Sequence, residues 1–288
     1  MTTTKMSLRL VFDAIKWSKW IFKRNYGAKF IMSFGIENRL SKIFKPESGK
    51  TVMLAVDHGY FQGPTTGLED LRKTLAPLAN LADCLFITRG MLRNCVEKNI
   101  QSSICLRVSG GPSILGELSN EDIVVSLEEA IRLNVSGIGM SIFVGAENED
   151  RTISNLGRLI NEAEKYGMPV LAITAVGREM ARDSRYLGLA CRIAAEIGSR
   201  IVKTYYCEDF YKVVESCPVP IVMAGGTKIP EKDALLMTEN AIKEGASGVD
   251  MGRNIFQSEN PAAMMKAIKA IVHKGVDSKE AFDLYSRG

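Results

Sequence analysis

After Gly49 the chain alternates short β-branched runs with longer stretches of helical periodicity, and small turn residues separate the two. The runs predict strands near 52–56, 84–88, 103–108, 137–143, 170–174, 201–204, 220–223 and 248–251. Helical patterns fall between them, as in Glu147 to Tyr166, Arg185 to Ile197, Glu231 to Glu244 and Pro261 to His273. Eight strand–helix units in 288 residues favour a closed parallel (β/α)8 TIM barrel over an open, doubly wound sheet. Ahead of this rhythm, residues 7 to 22 interleave apolar and basic positions in a helical manner, with Trp17 and Trp20 one turn apart. The chain therefore divides into an N-terminal basic amphipathic helical extension, 1–35, and a barrel catalytic domain, 36–288. Such an extension serves as an arm packing on a neighbouring subunit or, less commonly, as a helix for a membrane surface or partner.

Composition changes this picture little: 46% hydrophobic and 24% charged residues suit one large core. Charge is more informative. The first thirty residues carry seven basic side chains against the single acid Asp13, so a chain of net charge +4 has a body of net charge −2. A mildly acidic body argues against a nucleic-acid-binding barrel, which needs a concentrated basic face. The six cysteines are scattered without a CxxC pair, and only two histidines are present, which argues against a metal centre. They read as buried thiols of a reducing compartment, and with no secretory or membrane-spanning run in view the expected location is cytoplasmic.

Polar residues at the strand ends are the discriminating detail. Buried parallel strands should be apolar, yet these end in Asp57 and His58, Arg89, Lys203, Gly225 and Gly226, and Gly252 with Arg253. In a barrel those ends share one rim, so a single site there is the economical expectation.

Lys203, in the run IVKTYY, admits two readings. Burial would lower its pKa and leave an amine able to attack a ketone; alternatively it is a buried lysine paired with a carboxylate such as Asp57. Asp57 follows TVMLAV and is placed to shuttle protons or face a cationic iminium, unless it is a turn residue favoured by Gly59. His58 is either a proton relay or a structural histidine. Two glycine-bearing segments, VMAGGTKIPEKDA after the seventh strand and GVDMGRNIFQ after the eighth, suit a divided phosphate cradle of Gly225, Gly226, Gly252 and Arg253. Plain turn glycines are the alternative. The loops YFQGPTTGLE and RVSGGPSILGE are long enough to cover a substrate or admit a second ligand, or to be passive connections.

The stretches TVMLAVDHGYFQGPTTGLE, VKTYY, CPVPIVMAGGTKIPE and GASGVDMGRNIFQ resemble the class I aldolase family that includes archaeal-type fructose-bisphosphate aldolases, and within it the thiolase branch of autoinducer-2 processing. The resemblance runs from about Ile36 to the C-terminus. It implies a Schiff-base lysine at Lys203, an acid/base aspartate at Asp57, phosphate contacts at Gly226, Gly252 and Arg253, and a ten-subunit homo-oligomer of barrels. No tightly bound cofactor and no metal are implied; coenzyme A enters as co-substrate. The aldolase relatives carry a tyrosine proton donor at the end of the fifth strand, where this chain reads ITAVGRE with Ala175 in the aligned place. That departure suits the thiolase branch, with acetyl transfer from a phosphorylated hydroxy-diketone to coenzyme A giving glycerone phosphate and acetyl-CoA. Aldol cleavage of a sugar phosphate and a phosphosugar-binding barrel without turnover are the alternatives.

Overall fold

The computed structural model describes residues 33–176 and 181–288. Eight parallel strands close into a barrel: β1 (Thr51–Ala55), β2 (Cys84–Thr88), β3 (Ser103–Arg107), β4 (Gly137–Val144), β5 (Val170–Val176), β6 (Ile201–Tyr205), β7 (Ile221–Ala224) and β8 (Gly248–Met251). Each strand pairs with its neighbour in sequence, and β8 returns to β1 in the register Thr51↔Gly248 to Leu54↔Met251. The expected strands and fold class are those observed. Helices run Glu149–Lys165, Ser184–Ile197, Glu231–Lys243 and Pro261–Lys269, the last continuing as a π-helical turn, Ala270–Lys274. The amphipathic segment 7–22, and all of the expected extension before Ser33, lies outside the described residues.

Local chemistry sets the helix starts. Asp183, Asn260 and Asp277 each accept a hydrogen bond from the backbone N–H three residues on, satisfying donors that the first helical turn leaves orphaned. Asn260 is followed by Pro261, whose missing N–H costs nothing in that position.

Burial follows strand parity. Residues such as Val52, Leu54, Leu85, Ile138 and Val202 point outward into the layer shared with the helices. Met53, Cys84, Phe86, Cys105, Leu171, Ile201 and Val222 point inward and fill the barrel's lower half. The helix Phe34–Ile43, capped by Ser33, places Ile43 beside the following Phe44 in this inner cluster and so closes the N-terminal end. Phe86 fits because Gly139 lies opposite; a Cβ on Gly139 would stand 2.6 Å from the Phe86 ring.

All six cysteines are free, and five are buried; Cys95 is half-exposed, against the expectation that all six are buried. Among the described residues no helix is long and apolar enough to cross a membrane, and no group of three or more His, Cys, Asp or Glu is placed to hold a metal ion.

Candidate active site

A cavity of about 530 Å³ opens at the C-terminal rim of the barrel. Lys203, Asp57, His58, Gly225, Gly226, Gly252 and Arg253 all line it, so the structure brings together every residue the sequence analysis selected as a site candidate. Arg89, noted with them at the strand ends, does not line it. Arg89 starts the helix Arg89–Cys95, and its guanidinium pairs with Glu129 at 3.8 Å.

Parity delivers the charged groups to the interior. Met53, Ala55 and Asp57 face inward from β1 and its extension; Ile201, Lys203 and Tyr205 face inward from β6, and Asp250 and Gly252 from β8 and the turn after it. Lys203 Nζ lies 2.7 Å from Asp250 Oδ2 and 5.2 Å from the centroid of the Phe86 ring. The lysine side chain is 11% exposed and the aspartate fully buried. Among the described residues no other group offers the Asp250 carboxylate a hydrogen bond.

This pairing supports the second of the two readings of Lys203, a lysine paired with a carboxylate, and corrects its partner. The carboxylate against Lys203 is Asp250 rather than Asp57, and the lysine pKa is raised rather than lowered. Burial alone would push it down, but Asp250 and Asp57 outweigh that and hold it above the ordinary lysine value. Burial also pushes the Asp250 carboxyl up, with Lys203 only partly opposing it.

Asp57 sits in a different network. Arg107, from the end of β3, donates through Nη1 to Asp57 Oδ2 at 3.2 Å. Its Nη2 donates to both oxygens of Glu121 at 2.7 and 2.8 Å and to Ser141 Oγ at 2.8 Å. Tyr60 donates its hydroxyl proton to Glu121. Glu121 reaches this point because a two-residue ribbon, Ser109–Gly110 against Asp122–Ile123, folds the β3 loop back over the barrel. Tyr60 of the first long glycine-bearing loop and Arg107 and Glu117, which bound the second, line the same cavity, so both loops contribute to the site wall.

His58 stacks on Phe256, with ring centroids 5.7 Å apart. Its Nε2 is buried without a hydrogen-bond partner among the described residues. Burial lowers its pKa from 6.5, so the imidazole is neutral near pH 7.

At the opposite wall, Gly226 (φ +68°) faces open space, where an added Cβ would meet nothing within 4 Å. Gly252 is different: its Cβ would stand 2.3 Å from the Ala55 carbonyl oxygen, so only glycine fits that approach of β8's end to β1. Asn254 joins the two glycine segments, donating to Gly225 O at 2.6 Å and Thr227 O at 3.1 Å while accepting from Ile229 N–H at 2.9 Å. Arg253 stands beside them on the cavity wall. Ala175 lines the cavity too, so no phenol projects from that position of β5.

Asp250, Arg107, Glu121, Tyr60 and Asn254 were missed by the sequence analysis. A charged residue in the middle of a buried strand was the available signal for Asp250. Glu121 carries no local signal.

Residues 51–258 match the DeoC/LacD family aldolase group. The chain is 54% identical over 255 residues to a 3-hydroxy-5-phosphonooxypentane-2,4-dione thiolase of Enterobacter sp. (strain 638), covering 88% of this chain and 86% of that one. It is 52% identical over 255 residues to the protein of the same name from Escherichia coli (strain K12), covering 88% of each. Its barrel superposes on an archaeal fructose-1,6-bisphosphate aldolase whose catalytic Lys is covalently bound to the carbinolamine intermediate of the substrate. There the TM-score is 0.75 at 27% identity, over 83% of this chain and 99% of that one. The chain thus belongs to the DeoC/LacD aldolase family and is an enzyme of the class I aldolase type.

Proposed function

We propose that this enzyme is a Schiff-base-forming thiolase that cleaves 3-hydroxy-5-phosphonooxypentane-2,4-dione with coenzyme A to glycerone phosphate and acetyl-CoA, in autoinducer-2 catabolism. The observation that carries the reading is the convergence of Lys203, two carboxylates, a neutral histidine and a glycine–arginine cradle on one cavity, in a chain more than half identical to a thiolase so named.

Gly225, Gly226, Gly252 and Arg253 hold the phosphate, which sets the neighbouring ketone against Lys203. Lys203 forms an iminium at that ketone with loss of water. The coenzyme A thiol loses its proton to Asp57 or His58 and attacks the distal ketone. The carbon–carbon bond next to that ketone breaks, and its electron pair moves into the iminium to give an enamine. Acetyl-CoA departs, the enamine carbon takes back a proton, and water releases glycerone phosphate from Lys203. Coenzyme A is a co-substrate here; the cytoplasm and a homodecamer are the setting this reading carries from the family resemblance.

Aldol cleavage of a ketose phosphate such as fructose bisphosphate is the second reading, supported by the likeness to the archaeal aldolase. Ala175 disfavours it, because the aldolase relatives place a tyrosine proton donor there. Borohydride reduction of the enzyme with the hydroxy-diketone phosphate, followed by peptide mapping and an acetyl-CoA assay, separates the readings. The expected result is an adduct on Lys203 with acetyl-CoA formed only when coenzyme A is present. An adduct with a free aldehyde and no acetyl-CoA would favour the aldolase, and ligand binding with no adduct a binding barrel.

A further inference from the structure

We propose that Asp250 stores the proton that Lys203 gives up when it attacks the carbonyl, and then stands as counter-ion to the iminium that replaces the ammonium. This rests on the imine chemistry proposed above and assigns a catalytic role to a second carboxylate.

The two acids at this site have different partners. Asp57 faces Arg107, whose guanidinium is a permanent cation, so it keeps a cationic hydrogen-bond partner whatever Lys203 does, although Glu121 shares that charge. Asp250 has Lys203 alone: it is fully buried, 2.7 Å from Nζ, and no other hydrogen-bond donor reaches it among the described residues. Were the lysine proton released to bulk water, a bare carboxylate would remain in an apolar wall beside Phe86 and Met53. An unpaired buried charge of that kind is strongly disfavoured. Proton transfer within the pair avoids it, because ammonium with carboxylate becomes amine with carboxylic acid and the net charge stays at zero.

The balance closes over imine formation. Lys203 starts as –NH3⁺ beside Asp250–COO⁻. One proton crosses to the carboxylate, the amine forms the N–C bond, and the carbonyl oxygen becomes the carbinolamine hydroxyl by taking a proton from the new N⁺H2 group. The C–O bond then breaks; the leaving hydroxide departs as water with the proton Asp250 had stored. The products are –N⁺H=C and Asp250–COO⁻, so ammonium plus ketone has become iminium plus one water, and Asp250 ends as it began.

Two measurements test this. In Asp250→Asn, with glycerone phosphate as the carbonyl probe, cyanoborohydride trapping on Lys203 is expected to slow roughly a hundredfold, the usual worth of a positioned proton carrier. Its rate should also vary with pH across the neutral range, over which the wild-type rate is expected to stay flat. A rate within about twofold of wild type with the same profile overturns the proposal. Trapping that fails in the wild type itself overturns the imine reading, and the proton store with it. The second measurement does not depend on how Asp250→Asn folds. In Lys203→Met the carboxyl loses its one partner, so infrared spectroscopy at neutral pH should show a protonated carboxylic acid band that is absent from the wild type and from Lys203→Met/Asp250→Asn. Absence of that band in Lys203→Met shows Asp250 ionised without the lysine, and overturns the proposal.

Discussion

Arg107 donates to Asp57 at 3.2 Å through one terminal nitrogen while the other holds Glu121 and Ser141. The guanidinium therefore fixes the direction of the Asp57 carboxylate and supplies one positive charge that two buried acids share. Arg107→Lys cannot reproduce the fork, and Arg107→Met strands both carboxylates. We expect Arg107→Met to lose about 3–5 kcal/mol of stability, the usual cost of removing one partner of a buried ionic group. Urea unfolding measures this, and a midpoint unchanged from the wild type would show the network to be dispensable.

A separate acid is buried at the other end of the barrel. Asp83 accepts hydrogen bonds from Val52 N–H at 2.7 Å, Lys269 Nζ at 2.8 Å and His273 Nε2 at 2.7 Å. Burial would raise its carboxyl pKa, but the hydrogen bonds from His273 and Lys269 outweigh it and hold the group below its ordinary value of 3.8. A depressed carboxyl stabilises the fold when ionised, so its contribution is complete above that ordinary value and is lost as pH falls through the lower, folded one. Asp83→Asn should be less stable than the wild type at neutral pH, and the difference should shrink in acid. Thermal melts at stepped pH test this; a difference that widens in acid contradicts it.

The glycine–arginine cradle yields a contrast between neighbours. Arg253→Ala removes a charge and leaves the backbone in place, so KM for the phosphorylated substrate should rise about ten- to a hundredfold while the melting temperature barely moves. Gly252→Ala forces a Cβ to within 2.3 Å of the Ala55 carbonyl oxygen. It should lower the melting temperature as well as substrate affinity, because the seam between β8 and β1 must part. Equal melting temperatures for the two variants would show that the seam has slack.

Phe86 and Gly139 form a complementary pair across the barrel interior. Gly139→Ala should destabilise the wild type, since its Cβ lies 2.6 and 2.9 Å from the Phe86 ring. It should be nearly harmless beside Phe86→Leu, which vacates that space. The expected coupling in a double-mutant cycle is about 0.5–3 kcal/mol. Additive effects would mean that strand β4 itself, rather than the ring, rejects the methyl group.

The barrel was legible because each strand is a short apolar run bounded by turn residues, a signal that survives without tertiary context. The place of the two glycine segments on the cavity wall was legible for a related reason: they directly follow β7 and β8, whose ends share the rim. Asp250 was hidden because it lies inside β8 rather than at its end and reads as part of the glycine segment GVDMGRNIFQ. Counting inward positions back from Gly252 would have placed it facing Lys203's side of the barrel. Glu121 and Tyr60 could not be placed that way, since the ribbon that returns Glu121 to Arg107 joins segments with no shared periodicity. Of the two readings of Lys203, the lowered amine and the lysine paired with a carboxylate, the structure supports the second, and local sequence could not choose because burial gives one sign and a carboxylate the other.

The packed lower half of the barrel has a meaning for traffic. Met53, Phe86 and Leu171 fill the interior beneath Lys203, and Ile43 and Phe44 seal the end below them. The site is a blind well, so a molecule bound at Lys203 leaves by the rim it entered, past whatever stands above it. On the thiolase reading proposed above, such a well would impose a queue, with the phosphorylated partner expected first in and last out.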